Sequence, residues 1–183
     1  MKTTKLIPLA LTFAFISILS TSCNQQKKEH GHDHTGEGAH QHTNETKPGD
    51  LSFKDANLKA AFDQYELLRI ALTETDFDKS KSSALILQTV VKKVEGNEKV
   101  LAATQAIANA GTIDAQRLAF SDLTNNLTAL IKGNLSSGEL YLAHCPMALD
   151  NTGAYWITQV NEIKNPYFGD MMLKCGTVKE TLN

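Results

Sequence analysis

Between Leu58 and Ile131 large apolar residues return every third or fourth position, in four runs separated by glycine or short polar stretches. That spacing narrows the fold more than any other feature of the chain. Leu58, Phe62, Tyr65, Leu68 and Leu72 make the first run, which Ser52-x-x-Asp55 can open as a capping box and which stops near Asp76. Ala84, Leu87, Val91 and Val94 share the second face, with Ser80 or Ser82 as its cap and Gly96 as its stop. Val100, Leu101, Thr104, Ile107 and Ala108 mark a shorter helix from Asn97 to Ala110, ended by Gly111. Phe120, Leu123, Leu127, Leu130 and Ile131 mark a longer one, from about Asp114 to Leu135, with Gly138 beyond it. Helical stripes of this kind gain most of their stability by packing against one another. Short connections favour antiparallel neighbours, so the expected fold is mainly α, an antiparallel helical bundle with these stripes as its core.

After Gly138 the texture changes. Leu140, Tyr141 and Leu142 give way at Pro146, Asp150-Asn151-Thr152-Gly153 is a turn signal, and Ala154 to Val160 is rich in strand formers. Ile157 to Ile163 reads equally as a short helix, and Asn165-Pro166-Tyr167-Phe168-Gly169 is a second loop. The expectation is a loop-rich cap over residues 139–176 containing short extended or helical pieces, packed on the bundle through Trp156, Tyr167 and Phe168. Bundle and cap together make one domain, residues 51–183.

The start of the chain reads as targeting. A charged opening (Lys2, Lys5), an apolar run from Leu6 to Leu19 and small residues ending at Cys23 form a secretory leader. The run is shorter than the roughly 20 residues a bilayer-spanning helix needs. Leu19-Ser20-Thr21-Ser22-Cys23 resembles a bacterial lipobox, which makes residues 1–22 a lipoprotein signal peptide and Cys23 the lipidated residue. A lipid anchor in a bacterial membrane, with the chain facing the periplasm or the cell surface and the outer membrane as its expected place, follows from that reading. Residues 23–50 carry almost no large apolar side chains and are expected to be a disordered tether. Five of the six histidines fall in it: His30, His32, His34, His40 and His42. Imidazoles so closely spaced are expected to capture a transition metal weakly.

The formal charge of −2, lowered by two more when Lys2 and Lys5 leave with a leader, supplies no basic field for nucleic acid. Phosphate-cradling glycine loops, nucleophile elbows and His-Glu-x-x-His helices are missing, and the cap lacks a paired general acid and base, so no enzymatic activity is expected. The chemistry gathers elsewhere. Tyr141 to Gly176 holds the two cysteines other than Cys23, the sixth histidine, the only tryptophan and three of the four methionines.

Thiolate and thioether sulfur select soft ions, Cu(I) above all. Cys145, Met147, Met172 and Cys175 are the expected ligands, with His144 and Met171 as further candidates. Residues two apart in an extended piece point the same way, which would align Cys145 with Met147, whereas His144 would face away from Cys145. Copper is the expected metal, with silver and zinc as alternative ions. With Cys23 lipidated, Cys145 and Cys175 remain as a pair, and an exported pair can equally close as a disulfide.

Four separated blocks carry a family resemblance: Tyr-x-x-His-Cys-Pro-Met-Ala at 141–148, Gly-Ala-x-Trp at 153–156, Asn-Pro-Tyr-Phe-Gly at 165–169 and Met-x-x-Cys-Gly at 172–176. Together they resemble the domain of unknown function 3347 family, over about residues 51–180. Such domains occur in bacterial exported lipoproteins and as extra C-terminal domains on adaptor subunits of copper and silver efflux pumps. The resemblance implies a mainly helical domain ending in a metal-associated motif. His-Cys-Pro-Met is also similar to a motif of heavy-metal-binding domains, from which the chain departs at Ala148, where a second histidine is usual. The functional expectation is an envelope copper-binding protein that sequesters Cu(I) or passes it to an efflux system. The alternative is a disulfide-stapled interaction module that docks onto an efflux adaptor or another envelope protein.

Overall fold

The computed structural model describes residues 50–183. The leader, Cys23 and the five tether histidines lie outside the described residues. Four helices come first: α1 (Ala56–Thr73), α2 (Phe77–Val91), α3 (Glu98–Asn109) and α4 (Ile113–Ile131), preceded by a two-residue strand β1 (Ser52–Phe53). Each helix packs on the next, and α4 closes back on α1, which makes the expected mainly-α bundle. The apolar stripes are its core: Phe62, Tyr65, Leu68, Leu72, Leu87, Ile107, Phe120, Leu123, Leu127 and Ile131 are fully buried. Among the described residues no helix is long and apolar enough to cross a membrane.

Four helix ends differ from the expected ones, among them that of α2, which stops at Val91 rather than at Gly96 and leaves Val94 buried outside the helix. Asp55 alone caps α1, its carboxylate accepting from Asn57 N at 2.8 Å, because Ser52 is drawn away into β1, where its hydroxyl meets Ser137 Oγ at 2.8 Å. Asp76, not Ser80 or Ser82, caps α2 by accepting from Lys79 N at 2.9 Å. Thr75 in the left-handed region (φ 57°) turns the chain so sharply that the new helix starts at once. α4 stops at Ile131 rather than Leu135, since Gly133 (φ 77°) breaks it and Leu135–Ser137 becomes β2, the antiparallel partner of β1.

The cap is more ordered than a loop-rich reading implies. β3 (Leu140–Cys145) is the central strand of an antiparallel sheet, flanked by β4 (Ala154–Thr158) and by β5 (Thr177–Leu182), which lies beyond residue 176, where the cap was expected to close. A single short turn, α5 (Ala148–Asn151), links β3 to β4 through the left-handed residues Leu149, Asp150 and Asn151. The register of β5 shifts between Leu142 and Ala143, which pair with Glu180 and Val178, so Lys179 is the extra residue of a bulge.

The outer edge of β4 abuts the bundle instead of solvent. Tyr65 Oη accepts from Ile157 N at 3.0 Å, and Tyr167 Oη donates to Tyr155 O at 2.6 Å, so two buried tyrosines take backbone groups that an open edge would leave unpaired. Aromatic rings continue the connection: Phe53, Phe62, Tyr65, Phe120, Tyr167 and Trp156 follow one another at centroid spacings of 5.8, 6.1, 5.1, 5.9 and 6.3 Å. Trp156 and Tyr167 therefore do pack on the bundle as expected. Arg117, buried on α4, adds a polar bolt by donating to Pro166 O (3.0 Å), Thr75 Oγ1 (3.1 Å) and Leu72 O (3.4 Å). It ties the loop at 165–169 to the end of α1. Gly169 (φ 57°) lies so close there that a Cβ would run into Thr75 Oγ1 and come within 2.9 Å of Thr73 O.

Candidate functional site

Cys145 ends the central strand. It stands opposite Ala154 of β4, and none of its surface is exposed. Cys175 arrives from the other side, in the loop just before β5, and is partly exposed. The two sulfurs lie 2.7 Å apart although 30 positions separate them in the chain. Both are free cysteines.

Asn165 holds this meeting together. Fully buried, it accepts Tyr167 N–H at Oδ1 (2.8 Å), donates from Nδ2 to Cys175 O (3.0 Å) and donates its own N–H to Leu173 O (2.8 Å). Cys175 N in turn donates to Met172 O at 3.0 Å. Gly176 then returns the chain to the sheet at a φ of 140°, pressed so closely that a Cβ would sit 2.6 Å from the Trp156 ring and 3.0 Å from His144 O. No side chain fits there. The site is thus built by a strand end, a loop clamped by one amide, and a glycine laid against an indole.

The Cys175 thiol has its pKa pushed up to about 11, first by its hydrogen bond to Cys145, then by desolvation and by the charge of that same neighbour. Near neutral pH it is protonated, and a metal ion must displace the proton to bind. The His144 imidazole has its pKa lowered by desolvation and by the nearby Lys179 charge, both of which disfavour its charged form. As expected of strand neighbours, His144 faces away from Cys145; its ring lies 4.3 Å from that of Tyr155, with which it pairs across β3 and β4.

The methionines are placed less tightly. Cys145 and Met147 do not share an extended piece, since β3 ends at Cys145 and Met147 begins the turn into α5, where it is 47% exposed. Met171 and Met172 lie on a 3₁₀ turn (Gly169–Met172), Met171 standing out at 78% exposure and Met172 half-buried next to the Cys175 loop. Among the described residues no three His, Cys, Asp or Glu side chains gather as a metal cluster. What the fold brings together is the thiol pair, with thioethers two and three positions away along the chain on either side.

Sequence reasoning missed the residues that support the pair. Asn165 was visible only as part of a turn, and Arg117 sits among polar residues where nothing marks it as buried. Lys179 falls in a strand that was not expected.

A family model described as protein of unknown function (DUF3347) matches residues 61–138, from within α1 to just past β2. The four cap blocks lie outside that span. No curated protein and no solved structure matches the chain.

Proposed function

From the premise that residues 61–138 belong to the DUF3347 family, we propose that the chain is a lipid-anchored envelope protein that binds Cu(I) through Cys145 and Cys175 and sequesters it or passes it to an efflux system. The observation that carries this reading is the convergence of the two thiols, 30 positions apart in sequence and 2.7 Å apart in space. Two thiolates suit a soft d¹⁰ ion, and copper and silver share that preference, whereas zinc generally takes four ligands.

The donor set fits better than the spacing. Metal–thiolate bonds of about 2.3 Å hold two sulfurs on one ion roughly 3.8 Å apart or more, so the sulfurs must part by at least about 1 Å to admit a metal. Cys145 is fixed in the central strand; the half-exposed Cys175 loop is the side that can give. Met147 and Met172 are the nearest thioethers in sequence to complete the shell, with Met171 and His144 less well disposed for it. An incompletely enclosed ion exchanges readily, which suits handover to a partner such as a copper or silver efflux adaptor. Cys23 would tether the chain to the membrane, probing ions with the histidines of residues 23–50. No enzymatic role and no nucleic acid partner belong to this reading.

One observation favours a second reading. The sulfurs are already in contact with no room for an ion between them, which suits a disulfide that staples an interaction module. A Cu(I) competition titration against a chromophoric chelator, on anaerobically reduced protein with and without residues 24–50, separates the two when paired with a thiol count on protein isolated without reductant. One-to-one binding that survives loss of the tether and disappears in Cys145→Ser supports the copper site. Undiminished tight binding in Cys145→Ser refutes the assignment, and no free thiols with no tight binding supports the staple.

A further inference from the structure

The two sulfurs of the pair are not equally reachable. Cys145 has no exposed surface, whereas Cys175 lines an open groove of about 470 Å³ together with His144, Pro146, Tyr155, Thr177 and Lys179. Pro146 and Tyr155 supply apolar and aromatic wall, and Lys179 is the formally charged side chain that faces the space. Lys179 shares its face of β5 with Thr177, two residues before it, and is the residue left unpaired by the bulge. The adjacent carboxylate, Glu180, is taken by Lys132 at 2.8 Å, and among the described residues Lys179 has no acidic partner.

We infer that this groove is a docking site for a small anionic thiol, and that Cys175 is the sulfur through which thiol–disulfide exchange opens and closes the pair. In the oxidised pair the incoming thiolate RS⁻ attacks Cys175 Sγ. An RS–S bond to Cys175 forms, the Cys145–Cys175 bond breaks, and the electron pair leaves on Cys145 Sγ, which takes up the proton that the incoming thiol gave to solvent. A second RS⁻ attacks the R-side sulfur of the mixed disulfide, releasing RSSR and the Cys175 sulfur, which is protonated in turn. Two small thiols are oxidised to one disulfide and the protein disulfide is reduced to two thiols; the reverse carries oxidising equivalents inward from RSSR. The direction of approach follows from access, because exchange needs the nucleophile, the attacked sulfur and the leaving sulfur in line. Only Cys175 can be reached with Cys145 behind it. Selectivity for an anion follows from Lys179, whose charge lies on the groove wall that Cys175 also lines.

This inference needs no metal, so its test is run in chelator and is independent of the copper reading. The full-length protein, oxidised with a small disulfide, is treated with limiting mercaptoethanesulfonate (anionic), 2-mercaptoethanol (neutral) or cysteamine (cationic). After acid quench and alkylation, peptide mass mapping locates the adduct. The expected result is a mixed disulfide on Cys175 with the alkylated thiol on Cys145, and a rate per thiolate that is about 3- to 10-fold higher for the anionic thiol than for the neutral one. Lys179→Glu should reverse the order of the anionic and cationic thiols, and Lys179→Gln should level it. An adduct on Cys145, equal rates for the three thiols, an unchanged order in Lys179→Glu, or a pair that stays reduced in excess small disulfide would each overturn the inference.

Discussion

Replacing Asn165 by alanine tests whether one amide holds the thiol site in place. The side chain is fully buried and makes two hydrogen bonds, to Tyr167 N–H and to Cys175 O. Tyr167 is itself buried, so its freed N–H has no route to water and leaves an unsatisfied donor costing about 1–3 kcal/mol. The Cys175 carbonyl lies in a partly exposed residue, where water can replace the lost donor, and adds less. Deleting a small buried side chain leaves a void worth about a further 1 kcal/mol. The expected loss is therefore about 2–4 kcal/mol, read as a lower urea midpoint at unchanged slope. A second readout separates positioning from general weakening. The Nδ2–H···O=C bond, worth about 0.5–1.5 kcal/mol net, is made while both thiols are free and holds the Cys175 backbone toward Cys145, so its loss lets the open pair spread and should lower the equilibrium constant for closing it against a glutathione buffer by at most about 2- to 12-fold under conditions where the variant stays folded. A midpoint within about 0.5 kcal/mol of wild type, or a pairing equilibrium that does not move, would refute the placement of Asn165 as the clamp.

Tyr65→Phe deletes the hydroxyl that accepts from Ile157 N and meets Thr124 Oγ1 at 2.8 Å, and should cost about 1–3 kcal/mol while raising hydrogen exchange at the Ile157 amide; unchanged exchange there would argue against the docked edge. Gly169→Ala puts a methyl group into Thr75 Oγ1 and against Thr73 O at a positive φ, for an expected loss of about 2–4 kcal/mol, and a variant as stable as wild type would show that this turn relaxes freely. His144 should titrate below pH 6.5 by NMR, because burial and Lys179 disfavour its charged form. Since the unfolded chain then binds the proton more tightly, its contribution to stability is complete above about pH 6.5 and is lost as pH falls toward the lower folded value; a midpoint above 6.5 would contradict the placement of Lys179.

Helix content was legible because burial on one side of a helix writes a three-to-four spacing, and Leu58 to Ile131 keeps it without interruption by proline. Boundaries were less legible where two signals competed. Ser52 and Asp55 both suit a cap, and the choice between them was made by pairing of Ser52 with β2, a contact 85 positions away. Gly133 was an available stop for α4, but Leu135 continued the apolar pattern and masked it. The strands of the cap were harder still: Thr177–Leu182 alternates poorly, is mostly exposed, and becomes a strand only because β3 offers it an edge. The thiol pair itself was anticipated from composition, whereas its support was not. Arg117 acts through the Pro166 carbonyl, 49 positions along the chain, and such a partner leaves no mark in a local pattern; Asn165 bonds within 10 positions, but inside a loop that has no repeating spacing to reveal it.

The division between a rigid and a yielding half explains how one pair of sulfurs can serve both an ion and a disulfide. Cys145 is locked three ways, by β4 on one side, by β5 near its other side and by burial beneath them, and the edge of β4 is in turn fixed to the bundle through Tyr65 and Tyr167. Any change in sulfur separation must then fall on residues 173–176, whose attachments are Asn165, the Met172 carbonyl and the close seat of Gly176 on Trp156. Those attachments are few and lie on a partly exposed loop, so opening by about 1 Å for a metal falls on that loop and need not disturb the sheet. The consequence is directional. Ions and thiols alike reach the pair from the Cys175 side, and a substitution that stiffens the Cys175 loop should slow metal uptake and disulfide exchange together, while one that loosens the bundle should lower stability without changing the order in which the two sulfurs react.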